Sequence, residues 1–366
     1  MTTTQPFGKL DRKLRGLDAG CVRCEFQCRV DGELFRLTGD TGYCAASIED
    51  GRLLYRVETP SRSALLDAED TAPLTDGRWH SLAVVVDHSG TRLFLDGYQV
   101  FAGTVDVFCS RLGSGVQLLA GTQPMLELRS VQLSPAIPSA WELIADAVRP
   151  TPMVEFAANH LDSYDVERVA GLSEGTIALR YRVRGPGQEG TLLAVGSNGE
   201  EVARLTVGQA GLSWQVRVSR ELWRTFDAAG DWVDGAWHDC AIKAARGAVD
   251  LYVDGYRVAH LPGQAFFADV PSMDRVVIGQ SIPGRRLWGE VQHGAIYPNA
   301  LSDSQLKLLV GAEPLETVAV FDRGFDGAAS YRIPVLQALP SGVLIAGADR
   351  RTTSANDSPN HIDFVV

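Results

Sequence analysis

Asp76-Gly77-Arg78-Trp79-His80 and, further along the chain, Asp234-Gly235-Ala236-Trp237-His238 decide how this sequence is organised. The first is followed by Leu93-Phe94-Leu95-Asp96-Gly97-Tyr98 and the second, at the same offset, by Leu251-Tyr252-Val253-Asp254-Gly255-Tyr256. That offset also relates Gly121 to Gly279, each of which closes an apolar run. A unit this long is a duplicated domain, since a solenoid repeats every twenty to fifty residues or so, roughly. Inside each copy the period is two. Leu82, Val84 and Val86 alternate, Asp87-His88-Ser89-Gly90 turns the chain, and the Asp-Gly after the next run supplies the positive φ that a tight hairpin needs. Further alternating runs at Glu25 to Val30, Leu126 to Leu133, Thr176 to Val183 and Leu212 to Val218 predict many antiparallel strands and hardly any helix. Two exceptions stand out. Ser139-x-x-Glu142 and Ser302-x-x-Gln305 have the spacing of a capping box, which predicts a short helix after the last strand of each copy.

The chain of 366 residues is longer than one core usually organises, and 45% hydrophobic residues are enough to fill two or three. Its net charge of −11 argues against nucleic acid, which would call for a basic face. No apolar run reaches the length of about eighteen residues that a spanning helix needs, so no membrane insertion is expected. The first thirty residues carry Lys9, Asp11, Arg12, Lys13, Arg15 and Asp18 without an apolar stretch of the kind a signal peptide has. Six cysteines include Cys21-x-x-Cys24, the spacing of a metal or redox pair. However, Val22, Cys24, Phe26, Cys28 and Val30 alternate with Arg23, Glu25, Gln27 and Arg29, which reads as small apolar thiols on the inner face of a strand. Zinc would want a second close Cys/His pair, so no metal and no cofactor are expected. A disulfide such as Cys28 to Cys44 stays open.

The Asp-Gly-x-Trp-His strand start followed by the Asp-Gly hairpin resembles the laminin G-like, concanavalin A-like jelly roll. The resemblance covers residues 1–150 and 151–313. It implies that Trp79 and Trp237 are core aromatics and that His80 and His238 are strand-edge residues holding a turn. In this family such modules either bind carbohydrate through loop residues or act as spacers, and His160, His260 and His293 show no spacing that selects a ligand.

After Gly311-Ala-Glu-Pro314 a different segment begins, residues 314–366. It contains Tyr331-Arg332-Ile333-Pro334, then Val343-Leu-Ile-Ala346 leading into Asp349-Arg350-Arg351, then Asn356-Asp357-Ser-Pro359. This order resembles the opening of the six-bladed β-propeller of bacterial exo-α-sialidases, so the whole fold is expected to be all-β: two jelly-roll sandwiches followed by the first, incomplete blade of a propeller. Carried over position by position, the resemblance implies that Arg332 is the first of three arginines gripping the sialic acid carboxylate. Arg351 lines the site near the glycone, and Asp349 either contacts the sugar or braces the strand. Asp357 is the loop aspartate that acts as general acid and then general base. The chemistry agrees with these residue types. A planar guanidinium offers a carboxylate two parallel hydrogen bonds and keeps its charge, and cleaving a ketoside requires a proton donor at the leaving oxygen. Sialidases replace the usual carboxylate nucleophile by a tyrosine. That tyrosine, its glutamate partner and two further arginines are expected beyond Val366, so the chain by itself is expected to lack turnover and its last strands to expose apolar edges. The implied partners are sialylated glycans, and the family is usually secreted or on the cell surface. The alternatives are a carbohydrate-binding or adhesive protein without catalysis, and a trans-sialidase or anhydro-sialic-acid-forming relative.

Overall fold

The computed structural model describes residues 12–68, 73–121, 123–157, 160–185, 189–270, 272–282, 284–356 and 361–366. The chain divides into two compact units, one made of residues up to Val148 together with Pro314–Val366, the other of Arg149–Glu313.

In the part of the first unit up to Val148 a short helix α1 (Arg12–Arg15) precedes ten strands among the described residues. These are β1 (Gly20–Cys28), β2 (Gly32–Thr38), β3 (Tyr43–Glu49), β4 (Arg52–Glu58), β5 (Ser63–Ala68), β6 (Trp79–Asp87), β7 (Gly90–Leu95), β8 (Tyr98–Gly103), β9 (Gln117–Ala120) and β10 (Leu126–Ser134). They form two five-stranded antiparallel sheets, in the orders β10-β1-β6-β7-β8 and β5-β4-β3-β2-β9. The inward sides of the two share one core that includes Phe26, Phe35, Tyr55 and Phe108, each at 0% exposure. Full burial of one such side chain contributes about 1.5–3 kcal/mol. Helix α2 (Ala140–Ala145) closes the unit's outer face, with Ser139 accepting from the Glu142 amide while the Glu142 carboxylate accepts from the Ser139 amide.

The second unit repeats the plan. It contains β11 (Val154–Phe156), helix α3 (Ser163–Ala170), β12 (Gly175–Val183), β13 (Gly190–Ser197), β14 (Glu200–Gly208), β15 (Gly211–Arg217), β16 (Trp223–Ala228), β17 (His238–Ala245), β18 (Ala248–Val253), β19 (Tyr256–Pro262), β20 (Arg275–Ile278) and β21 (Gly289–Tyr297). The sheet orders are β11-β21-β12-β17-β18-β19 and β16-β15-β14-β13-β20. Between them lie Tyr181, Trp214, Phe266 and Phe267, and the Trp214 indole donates to the Ala265 carbonyl at 3.0 Å. Helix α4 (Asp303–Val310) starts at the Ser302/Gln305 capping box and ends on left-handed Gly311. Helix α3 has no counterpart in the sequence reading. Asp162 caps it, and Val166 and Val169 bury its inner side.

The paired motif builds the same brace twice. The β7–β8 and β18–β19 hairpins turn on Asp96-Gly97 (φ 49° and 86°) and Asp254-Gly255 (φ 52° and 83°). In each turn the aspartate reaches back to the preceding strand. Asp96 accepts from the Ser81 amide at 2.9 Å and lies 2.9 Å from His80 Nδ1, while His80 Nε2 lies 3.3 Å from Asp76. His238 is held likewise by Asp254 at 2.9 Å and Asp234 at 3.2 Å. Both histidines therefore tie a strand to its turn. The expectation that Trp79 and Trp237 are core aromatics is corrected. Strand alternation gives the inward position to His80, which sends Trp79 to the opposite face. There it is half-buried beneath Arg129, whose guanidinium sits 3.7 Å from the ring centre, and Trp237 is covered by Arg182 at 4.8 Å. All six cysteines are free and buried, and burial pushes the Cys24 and Cys44 thiols up to about 12. Among the described residues no helix is long and apolar enough to cross a membrane, and no cluster of His, Cys, Asp and Glu has the arrangement of a metal site.

Candidate substrate-binding site

The last fifty residues form a three-stranded antiparallel sheet of β22 (Ser330–Ala338), β23 (Leu344–Arg351) and β24 (Ile362–Val365), with β23 in the middle. Register decides which side chains meet. Arg332 stands opposite Asp349 and Ser330 opposite Arg351, and residues 349 and 351 are two apart, so Arg332, Asp349 and Arg351 share one face. The two arginines converge further on. Arg332 Nη1 donates to the Ala355 carbonyl at 3.3 Å, and Arg351 Nη1 donates to the same oxygen at 3.2 Å. Arg351 is 1% exposed whereas Arg332 is open to solvent, so one guanidinium is fixed by its surroundings and the other faces outward. Asp357, one position past Asn356 in the sequence, lies outside the described residues.

A bulge follows Arg332 directly. The register shifts between Arg332 and Val335, and Ile333 sits at φ 54°, where a β-branched residue is strained and where the following Pro334 adds to the cost. Such strain persists only where the surroundings impose it, and it gathers at functional positions.

Arg350, which the sequence reading passed over, points to the opposite face. It is bonded to Asp326 and, at 2.9 Å, to Asp363, and its hydrogen bond to Asp363 holds that carboxyl below the usual range. On the same side Tyr331 stacks on Phe321 with centroids 5.1 Å apart and donates to the Phe325 carbonyl at 2.9 Å. The segment leading into the sheet is clasped to the first jelly roll. Asp322 accepts from the Thr104 amide at 2.7 Å and from its hydroxyl, Gln99 and Thr317 exchange bonds at 2.9 Å, and Arg92 pairs with Glu316 at 2.9 Å. Apolar side chains of the sheet stay exposed, among them Leu336 at 66%, Leu344 at 64% and Phe364 at 61%, in contrast to the closed cores of the jelly rolls.

Residues 28–134 match the laminin G domain family, and residues 157–307 match the concanavalin A-like lectin/glucanases superfamily. The chain thus carries two laminin G/concanavalin A-like jelly-roll domains. Among solved structures it is similar to the CBM40 module of the Ruminococcus gnavus IT-sialidase, at 22% identity over 45% of this chain and 97% of that one, with a TM-score of 0.37. It is similar also to the leech intramolecular trans-sialidase, at 21% identity over 59% of this chain and 36% of that one, TM-score 0.38. Mouse laminin alpha1 domains LG4-5 give 14% identity over 81% and 90% of the two chains, TM-score 0.28. The chain spans about a third of the leech enzyme (36%). At such scores these likenesses carry no functional weight.

Proposed function

We propose that this chain is the front part of an exo-α-sialidase whose jelly-roll modules bring it to glycans and whose residues 314–366 open the catalytic propeller. The observation that supports this best is the convergence of Arg332 and Arg351 on one carbonyl, on the same sheet face as Asp349. In this reading the boundaries fall at 1–150, 151–313 and 314–366. The outward Arg332 guanidinium takes the sialic acid carboxylate in a two-pronged grip, and Arg351, already fixed, presents a second cation near the glycone. Asp357 carries the proton to the leaving oxygen and then draws one from water. The exposed apolar faces of β22 to β24 are what a blade shows before its neighbours cover it. The test is release of sialic acid from a fluorogenic sialoside by the complete product of the encoding gene. Arg332→Ala is expected to lower kcat/KM by roughly 100-fold or more, because a carboxylate left without its clamp costs about 2–5 kcal/mol. An active enzyme indifferent to that change would sink the assignment of Arg332, and an enzyme that releases nothing would sink the sialidase reading.

One observation favours a second reading, glycan binding without catalysis. The outer face of the β13 to β16 sheet holds a depression of about 550 Å³ lined by Arg204, Gln215, Asp227, Arg285 and Arg286, a polar and arginine-bearing surface suited to an acidic sugar. Retention of the intact chain on immobilised sialyllactose, weakened by Arg285→Ala with Arg286→Ala, would support this reading. Equal retention on lactose would refute it.

A further inference from the structure

We propose that the second jelly roll holds a binding site for a single neutral pyranose ring, in the cavity between helix α4 and the outer face of β21-β12-β17-β18. The duplication supplies the argument, because each position of this site has a counterpart in the first jelly roll. Ala83 and Ala241 each lie three residues after the motif histidine, and Leu143 and Leu306 each lie four residues after the capping serine. Opposite Ala83 stands Arg23, and opposite Ala241 stands Ala178. Seven residues after the capping serine come Asp146 in the first copy and Leu309 in the second.

In the first copy Arg23 and Asp146 join at 2.8 Å across the gap between helix and sheet, and the space left is about 270 Å³. In the second copy that ion pair is replaced by Ala178 and Leu309, and the cavity is about 560 Å³, within the range of small-molecule sites. Its floor is a flat platform of small side chains, Ala178 with its cross-strand neighbours Ala295 and Ala241. Phe156, Tyr252 and Tyr297 wall it.

One end is polar. His293, Arg180 and Asp239 stand opposite one another on three adjacent strands, which places imidazole, guanidinium and carboxylate in a row at strand spacing, about 4.8 Å, the scale of a sugar ring. Arg180 Nη1 is 3.6 Å from Asp239, and its buried Nε has no hydrogen-bond partner among the described residues. A ring with apolar C–H faces and a hydroxyl edge satisfies both ends, since hydroxyls donate to Asp239 and accept from Arg180. The charges select against an anion. Asp239 and Glu155, set against the single guanidinium of Arg180, oppose a uronate, and burial, which raises the Asp239 carboxyl above its usual range, makes a further anion more costly still. The site lies within the second unit, so its failure leaves the reading of Arg332 untouched.

The test is saturation-transfer difference NMR on the intact chain with the methyl glycosides of glucose, galactose and mannose, and with methyl glucuronide as the charged probe. At least one neutral glycoside is expected to bind in the millimolar range and methyl glucuronide at least about fivefold more weakly. Ala178→Arg, which copies the first module, is expected to abolish the signal, with circular dichroism reporting whether the variant folds. Asp239→Asn keeps the shape and is expected to narrow the gap between glucuronide and neutral glycoside. The proposal is overturned by silence from all three neutral glycosides, by equal binding of the glucuronide, by unchanged binding in folded Ala178→Arg, or by a gap that Asp239→Asn leaves as it was.

Discussion

The two jelly rolls share a plan, a motif and a brace, yet the same Asp–His–Asp arrangement is sealed in one and open in the other. His80 and Asp96 are 1% and 0% exposed, while the side chains of His238 and Asp254 are 12% and 50% exposed. Geometry is nearly identical, with 2.9 Å between histidine Nδ1 and hairpin aspartate in both. Distance therefore does not measure what an interaction contributes. Solvent does, because a buried charge that loses its partner cannot turn to water, whereas an exposed one can.

The largest effect expected from this contrast is on removing the hairpin aspartate. Asp96→Ala strands a buried histidine and the Ser81 amide together, and should destabilise the first module by about 3–5 kcal/mol. Asp254→Ala, at its exposed turn, should cost about 1 kcal/mol or less. Chemical denaturation followed separately for each unit would decide the point, and equal losses in the two would break the comparison.

Next comes pH. Burial alone would lower the His80 pKa, but Asp96 and Asp76 outweigh it and lift it to about 9 from an ordinary 6.5. A histidine raised on folding contributes stability that is fully present below 6.5 and is lost as pH climbs through about 9. Burial works against ionised Asp76 as well, but its hydrogen bond to His80 wins and draws the carboxyl down to about 2 from 3.8, so its contribution is present above 3.8 and is lost as pH falls toward 2. The first module's melting temperature should accordingly be highest between these limits and decline on the alkaline side more steeply than that of the second. His238 is raised in the same direction, with burial opposing Asp254 and Asp234. A flat alkaline limb in the first module, or parallel limbs in the two, would count against the argument.

The smallest effect concerns the capping boxes. Ser302 is 2% exposed and Ser139 is largely open. Replacing either by alanine removes one acceptor for a helix amide, at about 1 kcal/mol, and the buried position should reach the upper end of the usual range near ~2 kcal/mol. Thermal melts of the two variants would show the order, and a costlier loss at Ser139 would reverse it.

Much of the fold was legible because it rests on short-range chemistry. The Asp-Gly hairpins needed positive φ, the alternation set the strands, and the capping spacing set the helices α2 and α4. The resemblance misplaces Trp79 and Trp237 in the core, although the alternation through Leu82, Val84 and Val86, carried back two residues, already puts His80 and not Trp79 on the inward face. Helix α3 went unread although Asp162, Asp165, Val166 and Val169 have helical spacing, because the segment is short and lies outside the paired motifs that organise the two copies. Of the candidate site, the sequence reading grouped Arg332, Asp349 and Arg351, and the sheet register places them on one face. The role of Ala355 as the common acceptor of Arg332 and Arg351 depends on a backbone carbonyl and leaves no trace in residue identities. The cavity of the second module was equally hidden, because it is defined by two residues that are small or apolar where their counterparts are Arg23 and Asp146.

The clasp around Asp322 gives chain order and physical order different meanings. The polypeptide leaves the first unit at Val148, builds 165 residues of another body, and returns at Pro314 to the surface it left. Thr104, Gln99 and Arg92 tie residues 316–322 back to that surface. The second module is thus a cassette threaded on the chain, inserted between the first jelly roll and the strand that bears Arg332.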